Sequence, residues 1–541
     1  MKNEEEPDYI FLADDDDDDD KGVNGDGNEE NFFDADGIAD TKIDRKDCES
    51  LTYADDDPKP DSLDPSWPQS YRRSMDYLAS QSLNFLGSPK LSPVGGGSSI
   101  PSSPRRRIIT SLDKPLLPET DNQLKEHHSS EISLHPQRTP STKDLSTVRK
   151  SSFSQAVVNG VNLLCGVGLL STSYAAKQGG WAGLSVLFVF CILSFYTGLL
   201  LRACLDSRPG LNTYPDIGEA AFGKTGRLVI SIILYVELYA ACVEYIILES
   251  DNLSSLFPNA YISLGGHYIS SQYLCAIMVT LVVLPTVWLR DMSVLSYISA
   301  GGVFVSILLV ICLFWVGLVD NIGFQVESTK TLNLSTLPVA VGLYGYCYAG
   351  HAVLPNIYTS MENRSQFPLV LFASFGICTI LYAGVAIMGY TMFGESIESQ
   401  FTLNLPTNFL ASKIAVWATV INPFTKYAIT ISPVAMSLEE LIPSNHLWSH
   451  FYSVLIRTTL VASTLLVALS FPFFGLVMSL MGSLLTMLVS LIFPCACFLR
   501  IIKGNVTRFQ RSLCVLIITI GMVSAVSGTY TSLCEIIQQL L

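Results

Sequence analysis

The chain has 541 residues, 49% of them hydrophobic, and its 33 basic and 48 acidic side chains give a formal net charge of −15. Residues 1–57 hold 23 of the acidic and 5 of the basic side chains, which leaves the remaining 484 residues at +3. An acidic arm joined to an apolar remainder argues against a nucleic-acid-binding protein. No nucleophile elbow or cluster of metal-binding residue types is present in the sequence, which argues against an enzyme. The 13 cysteines show no CxxC spacing, so we predict packing residues and neither a metal site nor a cofactor.

The first 150 residues are predicted to form a disordered cytosolic tail, acidic at first and then rich in Ser and Pro. The seven aspartates of Asp14–Asp20 repel one another too strongly to pack. Short motifs at Tyr9–Leu12, Ser103 and Asp113–Leu117 are candidates for trafficking adaptors or kinases, although chance dipeptides in a solvated linker explain any one of them better. The opening MKNEEEPDYIF lacks the basic and apolar regions of a cleavable signal peptide, so we expect the first span to direct insertion.

Residues 151–541 are predicted to form an all-α, multi-pass transmembrane domain in a lipid bilayer. Eleven apolar windows of spanning length follow one another, bounded by charges, Gly or Pro. In the loops between them, eleven Lys and Arg residues lie on the side of the N-terminus and three on the other. This asymmetry predicts a cytosolic N-terminus and, with an odd number of spans, a C-terminus on the opposite side. The predicted spans are 153–177, 180–203, 227–251, 270–289, 292–317, 335–360, 367–393, 407–438, 452–470, 473–499 and 512–536.

The first predicted span is broken in its middle. Residues 159–178 read NGVNLLCGVGLLSTSYAAKQ, and Gly166, Val167 and Gly168 interrupt the apolar run. Unsatisfied backbone groups are costly in hydrocarbon, so a break survives where it faces protein, a cavity or a ligand. We expect the restarted half-helix to direct bare N–H groups at a carboxylate, with Asn162 beside them. The alternative is a packing face of small residues between helices.

A second break is predicted about 180 residues later, where residues 342–351 read GLYGYCYAGH. Two broken helices in corresponding halves indicate a transporter built from inverted repeats. We expect freed carbonyls here to accept an ammonium group while aromatic rings shape the pocket. A histidine at the end of the break is a candidate for proton coupling, although one that only hydrogen-bonds to backbone would give the same sequence. The residues of this predicted amino-group site are Tyr344, Gly345, Tyr346, Gly350 and His351.

Lys426 is a cation near the middle of the eighth predicted span, where charges are expensive and usually functional. Asn422, Lys426 and Thr430 are spaced four apart and share one helix face, beside a kink expected at Pro423. A lysine ammonium there would replace the cation that sodium-coupled transporters of this kind hold between the first and eighth helices. This predicts coupling by protons, or none; a structural ion pair is the alternative.

Two acidic residues in the third predicted span, seven positions apart, lie on one helix face. Either could pair with Lys426 or accept a proton, but a buried carboxyl that stays neutral and hydrogen-bonded is the other interpretation. The full set of predicted coupling residues is Glu237, Glu244, Asn422, Thr425 and Lys426.

The runs NLLCGVGLLSTSYAAKQGGW, GLYGYCYAGHAVLPNIYTSM and NPFTKYA resemble the amino acid/auxin permease family, most closely its plant vacuolar amino acid transporter branch. The resemblance covers about residues 150–541. It implies a leucine-transporter-type fold of five plus five inverted spans with an eleventh appended, proton-linked amino acid transport and a vacuolar location. The family often has proline where this chain has Ser173, and this difference restores a backbone N–H near the first break.

The leading hypothesis is therefore a secondary transporter of neutral amino acids across the vacuolar membrane, with protons as the coupling ion and antiport as one mode. Its midplane site would hold the carboxylate at Asn162 and Gly166–Gly168 and the amino group at the second break. The alternative is an amino-acid sensor that binds in the same pocket and signals through its cytosolic tail.

Overall fold

A computed structural model describes residues 67–79, 150–264, 267–289, 301–320, 322–442 and 449–541. These residues belong to one compact unit that spans residues 62–541. Their secondary structure is helical apart from one short antiparallel hairpin, which pairs β1 (Ile262–Leu264) with β2 (His267–Ile269). The predicted helical class is confirmed.

Most of the described α-helices in the apolar regions are long, and the helical structure is interrupted close to each of the two predicted breaks. In chain order they are α1 (Ser70–Ala79), α2 (Phe153–Leu164), α3 (Gly168–Asp206), α4 (Tyr214–Leu256), α5 (Ser271–Trp288), α6 (Gly302–Leu318), α7 (Leu337–Tyr346), α8 (Leu354–Ser360), α9 (Phe367–Phe393), α10 (Leu410–Glu439), α11 (Ser449–Ser470), α12 (Phe474–Met481), α13 (Phe493–Ile501) and α14 (Arg508–Leu540). A π-helical stretch, Gly482–Ile492, joins α12 to α13.

Seven helical segments in the described part of the chain are long and apolar enough to cross a membrane. Large apolar side chains cover their outer surface: Ile192, Phe372 and Ile380 are 68%, 66% and 73% exposed. An apolar exterior of this extent is what lipid tails require and water does not tolerate. The chain is therefore a multi-pass membrane protein. The count of eleven spans and the five-plus-five repeat stay predictions.

Local sequence signals fix where several helices begin. At α2, the Ser152 hydroxyl accepts the Gln155 N–H while the Gln155 side chain accepts the Ser152 N–H. Thr213 with Asp216 and Thr507 with Gln510 form the same capping box at α4 and α14. Such a reciprocal pair satisfies two backbone donors that the first turn leaves without partners.

A positive φ of 68° at Gly180 bends α3 where the first predicted span gives way to the second. A Cβ at this position would lie 2.8 Å from the backbone of Leu332, so glycine is required by both conformation and space. Next to this bend, the carbonyls of Lys330 and Thr331 accept hydrogen bonds from the N–H groups of Trp181 and Ala182.

The helices pack as two neighbouring groups. The first group contains α2, α3, α7, α8 and α9, and the second contains α4, α5, α10 and α11. Both helix breaks lie in the first group. The α12–α13 region and α14 pack against α7 and one another, and α12 and α13 also contact α4.

One part of the predicted disordered tail is structured. Residues Ser70–Ala79 form α1, which packs on α10, α8 and α2. Apolar or small residues at 71, 75 and 79 recur every four positions and give this short helix one buried face. The motifs at Tyr9–Leu12, Ser103 and Asp113–Leu117 lie outside the described residues.

Candidate functional site

A cavity of about 130 Å³ lies where the two helix breaks meet α4 and α10. Eight of the predicted site residues line it: Asn162, Gly166, Val167, Gly168, Glu237, Tyr346, Gly350 and Lys426. Residues not predicted as site residues also contribute, among them Tyr245, Thr430 and Met481. The cavity therefore brings together residues from five separate predicted spans.

The first break lies at the predicted position, between the end of α2 at Leu164 and the start of α3 at Gly168. The N–H groups of Cys165 and Gly166 turn back onto the carbonyls of Val161 and Leu164, each at 2.7 Å. Within the described residues, the N–H groups of Val167 and Gly168 have no protein acceptor. The first turn of α3 thus presents free donors and the positive end of its dipole at the cavity wall.

The second break lies further along the chain than predicted. Helix α7 continues to Tyr346 and α8 begins at Leu354, so the unwound segment is 347–353. Gly342 and Gly345 are helical, and a Cβ on Gly345 would lie 2.2 Å from the Met487 Cε. Gly345 therefore allows a neighbouring helix to pack closely, and it does not unwind its own helix. Gly345 and the fully buried Tyr344, both predicted as binding residues, do not line the cavity.

His351 belongs to the second break but faces away from the cavity. Its Nε2 lies 2.9 Å from the Thr197 hydroxyl and 3.2 Å from the Ser194 carbonyl, both on α3. The side chain is fully buried and does not line the cavity. This geometry favours the structural interpretation that the sequence left open, in which the imidazole ties the break to its neighbouring helix.

Tyr382 of α9 joins the two breaks, a contact that the sequence did not reveal. Its hydroxyl lies 2.5 Å from the Leu164 carbonyl of the first break and 3.0 Å from the Cys347 carbonyl of the second. Both carbonyls lost their helical partners when the helices unwound. A tyrosine in an apolar span carries no sequence signal for this role, because its partner depends on where the helices meet.

Lys426 lies between α10 and the first break, as predicted. Its Nζ donates to the Asn162 carbonyl at 3.3 Å, and the side chain is 7% exposed. Among the described residues it forms no ion pair, in contrast to the arginines at the helix ends. The structural ion pair considered for this lysine is therefore absent from the described contacts.

Gly302, at the start of α6, allows this polar group to come together. A Cβ there would lie 2.5 Å from the Asn162 Oδ1, 3.1 Å from the Asn422 Oδ1 and 3.1 Å from the Lys426 Cε. Asn422 is thus close to Lys426 but outside the cavity lining. The Thr425 hydroxyl donates to the Asn422 carbonyl at 2.7 Å and also lies outside the lining.

The two glutamates of α4 have different surroundings. Glu237 lines the cavity and accepts a 3.4 Å hydrogen bond from Thr486. Glu244 is fully buried and does not itself line the cavity, but its carboxyl group lies beside the side chain of Tyr346, which does. Neither forms an ion pair with Lys426.

Ser173 replaces the proline that the resemblance led us to expect. Its hydroxyl donates to the Val385 carbonyl of α9 at 2.8 Å, in a fully buried position. The serine therefore adds a contact between α3 and α9 that proline cannot make.

A multi-pass membrane protein in which two broken helices meet at a small cavity belongs to the class of membrane transporters. The sequence profile of the family described as transmembrane amino acid transporter protein matches residues 149–534. The chain belongs to this family, the amino acid/auxin permeases, as its motifs predicted.

Relatives with known names support the assignment. The chain is 60% identical to the amino acid transporter AVT1C of Arabidopsis thaliana, over 89% of this chain and 91% of that protein. It is also 60% identical to AVT1B of the same plant, over 88% and 89%. Among solved structures, a manganese transporter from Eremococcus coleocola aligns with 72% of this chain and 90% of its own, at 12% identity and a TM-score of 0.43. The family and the named relatives are transporters and not enzymes, as predicted.

Proposed function

We propose that this protein carries neutral amino acids across the vacuolar membrane and couples their movement to protons. The observation that carries the proposal is the cavity at which both helix breaks meet beside Lys426, which forms no ion pair with any described residue. Residues 149–534 match a family of amino acid transporters, which supports an amino acid as the substrate. The vacuolar location rests on the resemblance to the plant vacuolar branch.

The substrate carboxylate would bind the free N–H groups of Val167 and Gly168 at the start of α3. The ammonium group would bind carbonyls of the second break near Gly350, with Tyr346 beside them. Apolar side chains form much of the remaining wall, including Leu163, Leu238 and Val353. A small cavity with an apolar wall favours a neutral side chain, because a second charge would lose its water without a partner.

Lys426 and Glu237 are the groups that we assign to proton coupling. They line the same cavity without pairing with each other, so a charge on the substrate or a proton acts on both. The lysine also links α10 of the second helix group to the first break. A change in its charge would therefore alter the contact between groups that alternating access has to move.

The test is uptake of labelled amino acids by liposomes that contain the purified protein, without sodium, with and without an imposed pH gradient. Accumulation of neutral amino acids driven by the gradient is the expected result, and the direction of the effective gradient distinguishes antiport from symport. Flux that ignores the gradient would contradict proton coupling. Saturable binding without any flux would favour the sensor hypothesis instead.

A further inference from the structure

Residues Trp67–Ala79, which include helix α1, lie at the end of the bundle where α2 begins and α10 ends. Tyr71, Met75 and Ala79 form the buried face of the helix and are 1%, 0% and 2% exposed. Arg72 and Arg73 lie on its exposed side. A segment from a polar region thus buries a whole face against the transporter.

The buried face of α1 contacts the helix group that contains the breaks. The Tyr71 hydroxyl donates to the Ala352 carbonyl at 3.3 Å, within the second break. Ala352 itself lines the cavity, so Tyr71 contacts a residue of the cavity wall. Further along, the Asp76 Oδ1 accepts a 2.8 Å hydrogen bond from the Asn356 amide of α8.

The same segment is also bound to the second helix group. The Trp67 indole donates to the Ser437 carbonyl of α10 at 3.1 Å. The Glu440 carboxylate accepts the backbone N–H groups of Gln69 and Ser70, where α1 begins. A carboxylate at this position accepts hydrogen bonds from donors of the first turn and interacts favourably with the positive end of the helix dipole.

Aromatic contacts add to this attachment. The rings of Trp67 and Tyr71 each lie 6.0 Å from the ring of Tyr235 on α4, centroid to centroid. The Arg227 guanidinium donates to the Pro68 carbonyl at 3.5 Å. The segment is therefore bound to both helix groups at once.

We propose that the groove formed by α2, α4, α8 and α10 is a binding site for an amphipathic helix, and that its ligand is the chain's own Trp67–Ala79 segment. While bound, the segment covers the mouth of the cavity at this end and ties the two helix groups together. Transport requires its release. The claim that release is needed for transport rests on the proposed function, because it assumes that the two helix groups move. The claim that the segment covers the mouth does not.

Two physical properties make the docking reversible. A ten-residue helix is marginal in water, so the free segment loses its structure and its ordering opposes binding. The segment is part of the same chain as the transporter, so its docking is intramolecular and does not depend on the concentration of a separate partner. Weak intrinsic binding is therefore sufficient to keep the mouth covered, and a modest loss of contacts is sufficient to open it.

The first test measures access to the cavity wall without measuring transport. Ala352→Cys is prepared in the full chain and in a chain that lacks residues 67–79, and thiol labelling at position 352 is followed by mass spectrometry. We expect labelling about tenfold faster in the deletion, which corresponds to about 1.4 kcal/mol of docking free energy. Tyr71→Ala should accelerate it in the full chain, and Arg73→Ala, on the exposed side of α1, should not. Equal labelling rates in all four proteins would overturn the proposal.

The second test fixes the segment in place. Asp76→Cys and Asn356→Cys are combined in the full chain, because the native side chains are in contact. Amino acid flux into liposomes should be lost on oxidation and return on reduction, and each single variant should not respond. Normal flux through the cross-linked protein would refute the claim that transport requires release of the segment, while leaving the proposed function intact. Faster labelling of the deletion, with no amino acid flux in any variant, would refute the proposed function and leave the covered mouth intact.

Discussion

Lys426 is the residue whose charge matters most to the proposed mechanism. Its ammonium group has one carbonyl acceptor and little water, and a buried cation without a counter-ion is costly. A substrate carboxylate or a nearby carboxylate in the cavity lowers that cost, whereas a proton that neutralises the carboxylate restores it. The lysine therefore responds to the occupancy and the protonation of the cavity.

Replacing Lys426 by methionine should remove coupling while the protein still inserts in the membrane. We expect gradient-driven uptake to fall at least about tenfold, with any remaining flux independent of the pH gradient. Uptake into liposomes at two imposed gradients measures both effects. Lys413→Met is the matched control, because Lys413 is an exposed residue of the same helix. An unchanged pH dependence in Lys426→Met would exclude this residue from the mechanism.

A substitution at Gly168 tests the carboxylate site, because the free N–H groups belong to Val167 and to Gly168 itself. A Cβ on Gly168 would lie 3.4 Å from the Cys347 Cα and 3.8 Å from the Met478 Cε, so a leucine would collide with the opposite break. Gly168→Leu should weaken amino acid binding by at least about tenfold, as measured by ligand binding to the purified protein. Gly376→Ala on α9, outside the cavity lining, adds a methyl group where no atom lies within 4 Å and should keep affinity close to wild type. Wild-type affinity in Gly168→Leu would contradict the site.

Individual site residues were predictable where the residue type is rare in a membrane span. A lysine in an apolar helix and a Gly-Val-Gly sequence each stand out, and both line the cavity. His351, Tyr344 and Gly345 lie outside the cavity lining, because the direction of a side chain near a break depends on where the helix stops. A shift of a few residues turns a side chain from the cavity to a neighbouring helix.

At the scale of helices, the two breaks form one unit through Tyr382. The unwound segments cannot satisfy all of their own carbonyls, and this hydroxyl supplies a donor to both. The relative position of the carboxylate and amino-group sites then depends on α9 as well as on the broken helices. Tyr382 acts as a positioning residue, since it does not itself line the cavity.

Tyr382→Phe should weaken substrate binding by about tenfold, because the loss of the donor to the buried Cys347 carbonyl costs about 1–3 kcal/mol and the breaks lose their link. Ligand binding and thermal unfolding of the same preparation separate this effect from a loss of stability. Tyr427→Phe is the control: the residue is equally buried, and its hydroxyl binds Thr464 between α10 and α11 and contacts neither break. Similar affinities in both variants would show that Tyr382 has no special role.

Whether a glycine unwinds a helix or packs it could not be decided from sequence. At the first break, the helix ends at Leu164 and the next helix begins at Gly168, so the glycines do mark the unwound segment. At the second, Gly342 and Gly345 lie against Ser479 and Met487 of a neighbouring helix, and only Gly350 belongs to the unwound segment. Both uses of glycine depend on how closely another backbone approaches, which is a tertiary property.

At the scale of the whole molecule, α1 shows what composition conceals. The polar, Ser- and Pro-rich surroundings predicted disorder, yet Tyr71, Met75 and Ala79 have the spacing of an amphipathic helix. Such a short pattern predicts little by itself, since a helix of this length needs a surface to bind. That surface comes from helices more than 70 residues away in sequence.

The orientation of the molecule in its membrane follows from charge. Eleven basic loop residues on one side against three on the other predict a cytosolic N-terminus and a C-terminus in the vacuolar lumen. In intact vacuoles, an external protease should digest a tag fused before Met1 and spare a tag fused after Leu541 until the membrane is permeabilised. Because α1 covers the end of the bundle where α2 begins, this result would put the covered mouth on the cytosolic side, where cytosolic factors can act on it. Protection of the N-terminal tag would contradict the orientation and require a lumenal signal to release α1. Digestion of both tags would leave the orientation standing but exclude an odd number of spans.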